Sequence, residues 1–189
     1  MTSDALFAIE DTECVAGHFV ACFTELYEAL GETVMNVSDD ATVVVLFEMA
    51  RRFGDTAALF RSLLAHRAGV EPEKAVGDVP EIGNVLRRAI AQDASGALCL
   101  YAVSMVIAPP LLVSLRDAGS RASSVSAGPL REYTAQAADV VVSAIRQIGD
   151  LAGSRTPVLD DVWQESAREL GRIFEASGYS ESLGLGPFG

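Results

Sequence analysis

The chain has 189 residues, of which half are hydrophobic, and its formal net charge at pH 7 is −12. A chain of this length can bury the core of one domain without disulfides or metal ions. Aromatic residues make up only 7% of it, so the predicted core consists mainly of Ala, Val, Leu and Ile. The acidic balance and the lack of a basic stripe in the sequence argue against a nucleic-acid partner.

Cysteine usage and the first residues indicate the compartment. The sequence contains three cysteines, an odd number, and it opens with acidic residues instead of the basic stretch of a secretory signal. Both features favour a reducing environment, and we expect a cytoplasmic protein. A single lysine among 14 basic residues suggests a high-GC bacterial source.

Two long amphipathic helices are predicted first. From about Leu6 to Val37, apolar residues recur every three or four positions and acidic residues occupy the opposite arc, which predicts one buried stripe. Ser38 is the predicted N-cap of a second helix, from about Asp40 to Arg67. The connection is so short that the two helices are expected to be antiparallel neighbours. Two i,i+4 ion pairs are predicted on the outer side of the second helix, Glu48–Arg52 and Arg51–Asp55.

The third predicted helix runs from Pro80 to about Arg116 and is kinked or split at Pro109-Pro110. Residues 94–115 form a run of 22 without a charge, which is long enough to span a bilayer. Serines, a glycine and the proline pair in the run argue for a buried helix in a soluble protein and against a membrane contact. A small apolar-ligand pocket beneath the kink is a further possibility.

The remaining pattern predicts a flexible loop at 119–128, a fourth helix after Pro129 and a shorter fifth helix from Leu159 to Ser177. The predicted fold is all-α: an antiparallel four-helix-bundle core with a shorter fifth C-terminal helix and the third helix most buried. Residues 1–178 form the predicted single domain, and 179–189 an irregular C-terminal tail.

The one seam with metal-ligand chemistry is Cys14, His18 and Cys22, spaced four residues apart on the first helix, with Glu10 and Glu25 nearby. Thiolate, imidazole and carboxylate are ligands for a Zn, Cu or Fe ion. Successive residues four apart rise by about 6 Å, so one ion reaches two of them at most and needs ligands from another helix. The helical wheel also places Cys14 and His18 about 120–160° from the centre of the buried stripe.

The alternative for this seam is structural: a partly exposed histidine with glutamate neighbours, and two cysteines packed at a second contact or a subunit interface. His66 lies in the last turn of the second helix, where an imidazolium interacts with free carbonyls. Cys99 lies in the uncharged run and is expected to be a small core residue.

In helix number and length, including the short fifth helix, this pattern resembles the ferritin-like diiron carboxylate proteins. That family places Glu-x-x-His motifs on two helices. Here the positions three before His18 and His66 are Val15 and Leu63. The resemblance is therefore architectural only, and no family residue is assigned to this chain.

The tail from Ser182 to Phe188 alternates leucine and glycine before a Pro-Phe pair. It resembles the short C-terminal docking peptides of encapsulin cargo proteins, although Pro187-Phe188 departs from their pattern. The resemblance implies a protein partner for Leu183–Phe188. The alternative is a disordered or surface-packed terminus.

No nucleotide-binding fingerprint, phosphate loop or nucleophile elbow occurs in the sequence, and its two histidines are far apart. Our first hypothesis is a non-catalytic helical bundle that acts through protein–protein contacts as a homo-oligomer, since a mean hydropathy of +0.28 is high for a monomer. The second is a metal-binding bundle that uses Cys14, His18 and Cys22.

Overall fold

The computed structural model describes residues 9–64, 82–122 and 127–153. These residues are helical apart from short connections, and no strand occurs among them, which confirms the all-α class. The predicted fifth helix, His66 and the C-terminal tail lie outside the described residues. The helical elements are α1 (Ile9–Val34), α2 (Asp40–Leu64), α3 (Ile82–Gln92), α4 (Ala97–Tyr101), a π-helical segment (Ala102–Ile107), α5 (Ala108–Arg121) and α6 (Gly128–Gly153).

The first two helices form an antiparallel hairpin held by aromatic rings. The ring centroids of Phe19 and Phe60 are 5.1 Å apart. Two turns further along α1, the Tyr27 ring lies against Gly54 of α2. Going along α1, the contacting residue on α2 has a lower residue number, so the two helices run in opposite directions.

The start of α2 is capped by Asp39 and not by Ser38 as predicted. The Asp39 carboxylate accepts a hydrogen bond of 2.8 Å from the backbone N–H of Thr42, which is the usual N-cap geometry. The backbone N–H of Ser38 instead donates to the carbonyl of Ala94, at 3.1 Å. Ser38 therefore joins the α1–α2 connection to the turn that follows α3.

The predicted third helix is two separate arms. The chain leaves helical geometry after Gln92 and turns at Gly96, whose φ of 78° is in the left-handed region. α3 runs in the same direction as α1, because Gly83 lies beside Glu25 and Arg87 pairs with Glu32 at 2.8 Å. Beyond the turn, Gly96 lies beside Val37 and Cys99 beside Thr33, so the residue numbers of the α1 partners now fall along the chain. The arm from α4 to α5 thus returns along the molecule in the direction opposite to α3.

The predicted break near Pro109-Pro110 coincides with a change of helix type. The two prolines occupy the first turn of α5, directly after the π-helical segment. This position suits proline, because the first turn of a helix needs no intrahelical donor there. The helical rod Ala97–Arg121 continues through the prolines, so the kink there stays a prediction. The turn at Gly96 was not predicted from the sequence.

Neighbouring helices enclose one hydrophobic core. α2 contacts α6 through the edge-on rings of Phe60 and Tyr133, 6.4 Å apart, and through Arg52, which donates to the Ser143 hydroxyl at 2.8 Å. α6 also packs against α5, and α3 packs against α1 and the π-helical segment. The buried residues of these elements form a single cluster that is rich in Ala, Leu, Val and Phe.

Both predicted ion pairs on α2 are present. Glu48 and Arg52 approach to 3.0 Å, and Arg51 and Asp55 also to 3.0 Å. Arg51 pairs with Glu48 as well, and hydrogen bonds from Arg51 and Arg52 lower the pKa of the Glu48 carboxyl. The charges on the outer face of α2 are therefore neutralised locally.

One helical rod, Ala97–Arg121, is long and apolar enough to cross a membrane, and 56% of its most apolar window is buried inside the protein. Core helices of soluble proteins reach the same length and composition, so this property alone does not assign a membrane span.

Candidate functional site

The structure brings two members of the predicted seam together. The Nε2 atom of His18 lies 3.3 Å from the Cys22 sulfur, one helical turn away. His18 is only 9% exposed and Cys22 is fully buried. The His18 ring also meets Phe19 edge-on, with centroids 5.9 Å apart. An imidazole and a thiol thus share a buried position near the middle of α1.

The prediction that His18 is partly exposed is wrong. All eight residues from Ala16 to Phe23 are buried, so this part of α1 has no solvent-facing side. The helical wheel assumed one buried stripe, as on a helix that contacts the protein on one side only. Because α1 contacts both α2 and α3, the single-stripe assumption does not hold for it.

Burial also sets the charge of the imidazole. Desolvation lowers the pKa of His18 from 6.5 to about 4, because a charged ring is disfavoured away from water. The ring is therefore neutral at physiological pH. One ring nitrogen then carries a proton and donates a hydrogen bond, and the other accepts one. The Cys22 thiol can be the partner in either direction.

This pKa predicts an acid-sensitive fold. Below pH 6.5 the unfolded chain binds a proton at His18, whereas the folded chain does not bind it until about pH 4. The free energy of unfolding should therefore fall by about 3 kcal/mol between these limits because of this residue. Urea unfolding at pH 7 and pH 4.5 measures the loss. The variant His18→Gln should lack this part of it, and an equal loss in the variant would contradict the assignment.

The third member of the seam is elsewhere. Cys14 is exposed, and Glu25 lies beside Gly83 and Arg87 of α3. Glu10 lies in α1, in a part whose side chains are not described. Among the side chains that are described, no three His, Cys, Asp or Glu residues converge as a metal site would require. The structure thus brings together His18 and Cys22 but not the complete predicted set.

Cys99 is a buried core residue, as its position in the uncharged run predicts. Its side chain is fully buried, and desolvation raises the pKa of the thiol to about 12. A thiol that stays protonated is a poor nucleophile. Cys99 is therefore a packing residue beside Thr33.

These environments predict that one thiol reacts in the native protein. Cys14 is exposed, whereas Cys22 and Cys99 are buried. A native sample should release about one equivalent of chromophore quickly from a disulfide reagent, and a denatured sample about three, because only an accessible thiolate attacks. Cys14→Ser should remove the fast phase. A second fast thiol would show that the core around α1 opens.

The α1–α2 hairpin carries exposed apolar side chains that the sequence pattern did not predict. Tyr27, Met35, Val44 and Phe47 are all exposed large hydrophobic side chains. Tyr27 follows the three- and four-residue apolar spacing of α1, but it is exposed, with its ring over Gly54. The sequence feature that could have predicted them is the pair Val44 and Phe47, two apolar residues three apart on a helix face that otherwise carries charges.

A cavity of about 420 Å³ lies where the start of α1, the end of α2 and the start of α6 meet. Its lining includes Ala16, Leu63 and Leu130, with Glu13 and Tyr133 as polar members. The volume is within the range of small-molecule pockets, about 300–1,000 Å³. It is at a different place from the pocket predicted beneath Pro109-Pro110.

The chain matches no protein-family model, no curated protein and no solved structure with which it was compared.

Proposed function

We propose that this protein is a non-catalytic helical bundle that acts through protein–protein contacts and assembles as a homo-oligomer. The observation that supports this proposal is the exposed apolar surface on the α1–α2 hairpin, formed by Tyr27, Met35, Val44 and Phe47. Contiguous exposed apolar surface on a protein with a well-formed core is typical of an interaction site.

The proposed architecture is an antiparallel four-helix core, kinked at Pro109-Pro110, to which a shorter fifth helix adds within a domain of residues 1–178. The hairpin of α1 and α2 and its contacts with α6 support this arrangement. A chain that buries its core this way leaves interaction surfaces on the outer faces of its helices.

We propose that the protein is cytoplasmic and that its apolar rod is a core helix, not a membrane span. The support comes from the π-helical segment within the apolar rod. The amide of Ala108 donates to the carbonyl of Val103, and Pro109-Pro110 have no N–H to donate. Two of the amides that would reach back into this segment are therefore missing. In hydrocarbon each bare carbonyl costs several kcal/mol, whereas water satisfies it readily.

Light scattering coupled to size-exclusion chromatography tests the assembly. A mass above that of the 19.9 kDa chain at micromolar concentration supports it. A single species of monomer mass up to about 100 µM, where even weak biological interfaces associate, would overturn it.

A second protein–protein contact is proposed for the C-terminal tail. We propose that Leu183–Phe188 docks on a protein partner through its apolar side chains. Removing residues 182–189 should abolish capture of that partner and leave the helical circular-dichroism signal unchanged. Capture that persists without the tail would disprove this role.

The metal-binding alternative has one favourable observation, the 3.3 Å contact between His18 and Cys22. Elemental analysis of protein purified without a histidine tag tests it. About one equivalent of Zn, Cu or Fe, lost in His18→Gln and Cys22→Ser, would support a tight site. Less than roughly a tenth of an equivalent would exclude one.

A further inference from the structure

Exposed apolar side chains lie on both helices of the hairpin. On α2, Phe47 and Gly54 are seven residues apart and so lie on the same side after two turns. The Tyr27 ring of α1 packs on Gly54, with its Cδ2 atom 3.1 Å from where a Cβ would lie. Tyr27 thereby connects the exposed side of α1 to the exposed side of α2. We call this surface the hairpin face, formed by Tyr27, Gly31, Met35, Val44 and Phe47.

The hairpin face carries both a protrusion and a notch. Phe47 is 61% exposed, Val44 66%, Met35 84% and Tyr27 49%. Gly31 of α1 lies four residues from both Tyr27 and Met35, the residue that follows α1. No heavy atom outside its own helix backbone comes within 4 Å of where its Cβ would be. The face therefore has an open site where Gly31 lacks a side chain. The register of the hairpin, in which Phe19 faces Phe60 and Tyr27 faces Gly54, puts Phe47 of α2 at the level of this site.

We infer that a second copy of this chain docks on the hairpin face about a two-fold axis, with Phe47 of each copy packed over Gly31 of the other. The inference rests on the proposed function, which it deepens by naming the partner and the surface. In a two-fold contact the same patch serves both copies, so protrusion and notch must lie on one face. The hairpin face meets that requirement, and the contact fills both notches.

The area is adequate for a dimer. The exposed parts of these side chains amount to on the order of 500 Å² per copy, at the upper end for apolar patches on monomers. Two copies would bury about twice that from apolar atoms alone, close to the roughly 1,000 Å² at which specific interfaces begin. The surrounding polar rim adds to this area.

Local charge permits the contact despite the net charge of −12. Arg51, one turn from Phe47, pairs with Glu48 and Asp55 at 3.0 Å each. Glu32, one residue after Gly31, pairs with Arg87. These charges are thus paired within the chain, whereas Asp40, one turn before Val44, adds a negative charge at the start of α2. The repulsion between copies therefore comes from Asp40 and from charges further away. Salt screens such repulsion, so association should strengthen between 50 and 500 mM NaCl.

Two variants test the surface while preserving the fold. Phe47→Glu places a carboxylate in the proposed contact, four residues before Arg51, where it suits the helix. Gly31→Arg fills the notch with a good helix former in open space. Each should weaken dimerisation by at least about 30-fold, the effect of losing a central interface contact. Neither should lower the midpoint of thermal unfolding measured in dilute samples.

The matched control is Met105→Glu, an exposed apolar residue of the π-helical segment. Sedimentation equilibrium of the full-length chain should show a dimer for the wild type and this control, and monomers for the two hairpin variants. A dimer that survives both hairpin variants but dissociates in Met105→Glu would overturn this inference and leave the proposed assembly intact. A monomeric wild type would overturn both. Recovery of a different protein or of lipid with a monomeric chain would also reject the two-fold contact.

Discussion

Replacing Phe60 with alanine is expected to lower the free energy of unfolding by about 3–5 kcal/mol, the range for removing a large buried aromatic side chain. Phe60 is fully buried, and its ring lies 5.1 Å from Phe19, 6.0 Å from Phe23 and 6.4 Å from Tyr133, measured between centroids. One side chain therefore links α1, α2 and α6. A loss of this size is a large part of the stability of a typical domain.

The matched control is Phe47→Ala on the same helix. Phe47 is exposed, so the same change of residue should alter the stability of the monomer by less than about 0.5 kcal/mol. Chemical denaturation of dilute samples, followed by circular dichroism, gives both values. Equal losses in the two variants would mean that Phe60 does not occupy the core position described above.

Replacing Gly96 with alanine is expected to cost about 2–4 kcal/mol, for two separate reasons. Its φ of 78° is in the left-handed region, which costs other residues about 1–2 kcal/mol. A Cβ there would also lie 2.8 Å from methyl carbons of both Thr42 and Val37. The turn that separates α3 from α4 is thus packed too tightly against the α1–α2 connection to accept a side chain.

Gly149→Ala is the control for this prediction. Gly149 lies within α6, and nothing outside its own helix backbone comes within 4 Å of where its Cβ would be. Alanine should raise stability there by up to about 1 kcal/mol, because glycine is the poorer helix former. Differential scanning calorimetry should therefore show opposite shifts of the unfolding midpoint. An unchanged unfolding midpoint in Gly96→Ala would contradict a strained, tightly packed turn at this position.

The α1–α2 hairpin was predictable because residues close together in the sequence determine its two helices and the short connection between them. The apolar spacing in α1 and α2, the short connection and the i,i+4 charges on α2 are all readable in the sequence, and the structure agrees with them. The division of the predicted third helix was not found, because apolar residues recur on both sides of Gly96. The Asp93 carboxylate accepts hydrogen bonds from the backbone N–H groups of Ser95 and Leu98. That arrangement caps α4, and Asp-x-Ser-Gly was the available cue.

The candidate site was predictable only in part, for a different reason. Spacing alone brings His18 and Cys22 onto neighbouring turns of α1. Whether that seam faces water depends on how many helices surround α1, which no pattern within α1 records. The same applies to Phe47, because only the register of the hairpin puts this exposed ring at the level of Gly31 on the neighbouring helix.

Cross-linking between copies tests the central claim, self-assembly through the hairpin face, most directly. Two proteins are prepared in a Cys14→Ser background, one with Gly31→Cys and the other with Phe47→Cys, and they are mixed under mild oxidation. The proposed contact predicts a disulfide-linked dimer in the mixture, well above the yield from either protein alone. Gly31→Cys mixed with Met105→Cys serves as the reference. A yield in the first mixture no higher than in this reference would contradict assembly through the hairpin face.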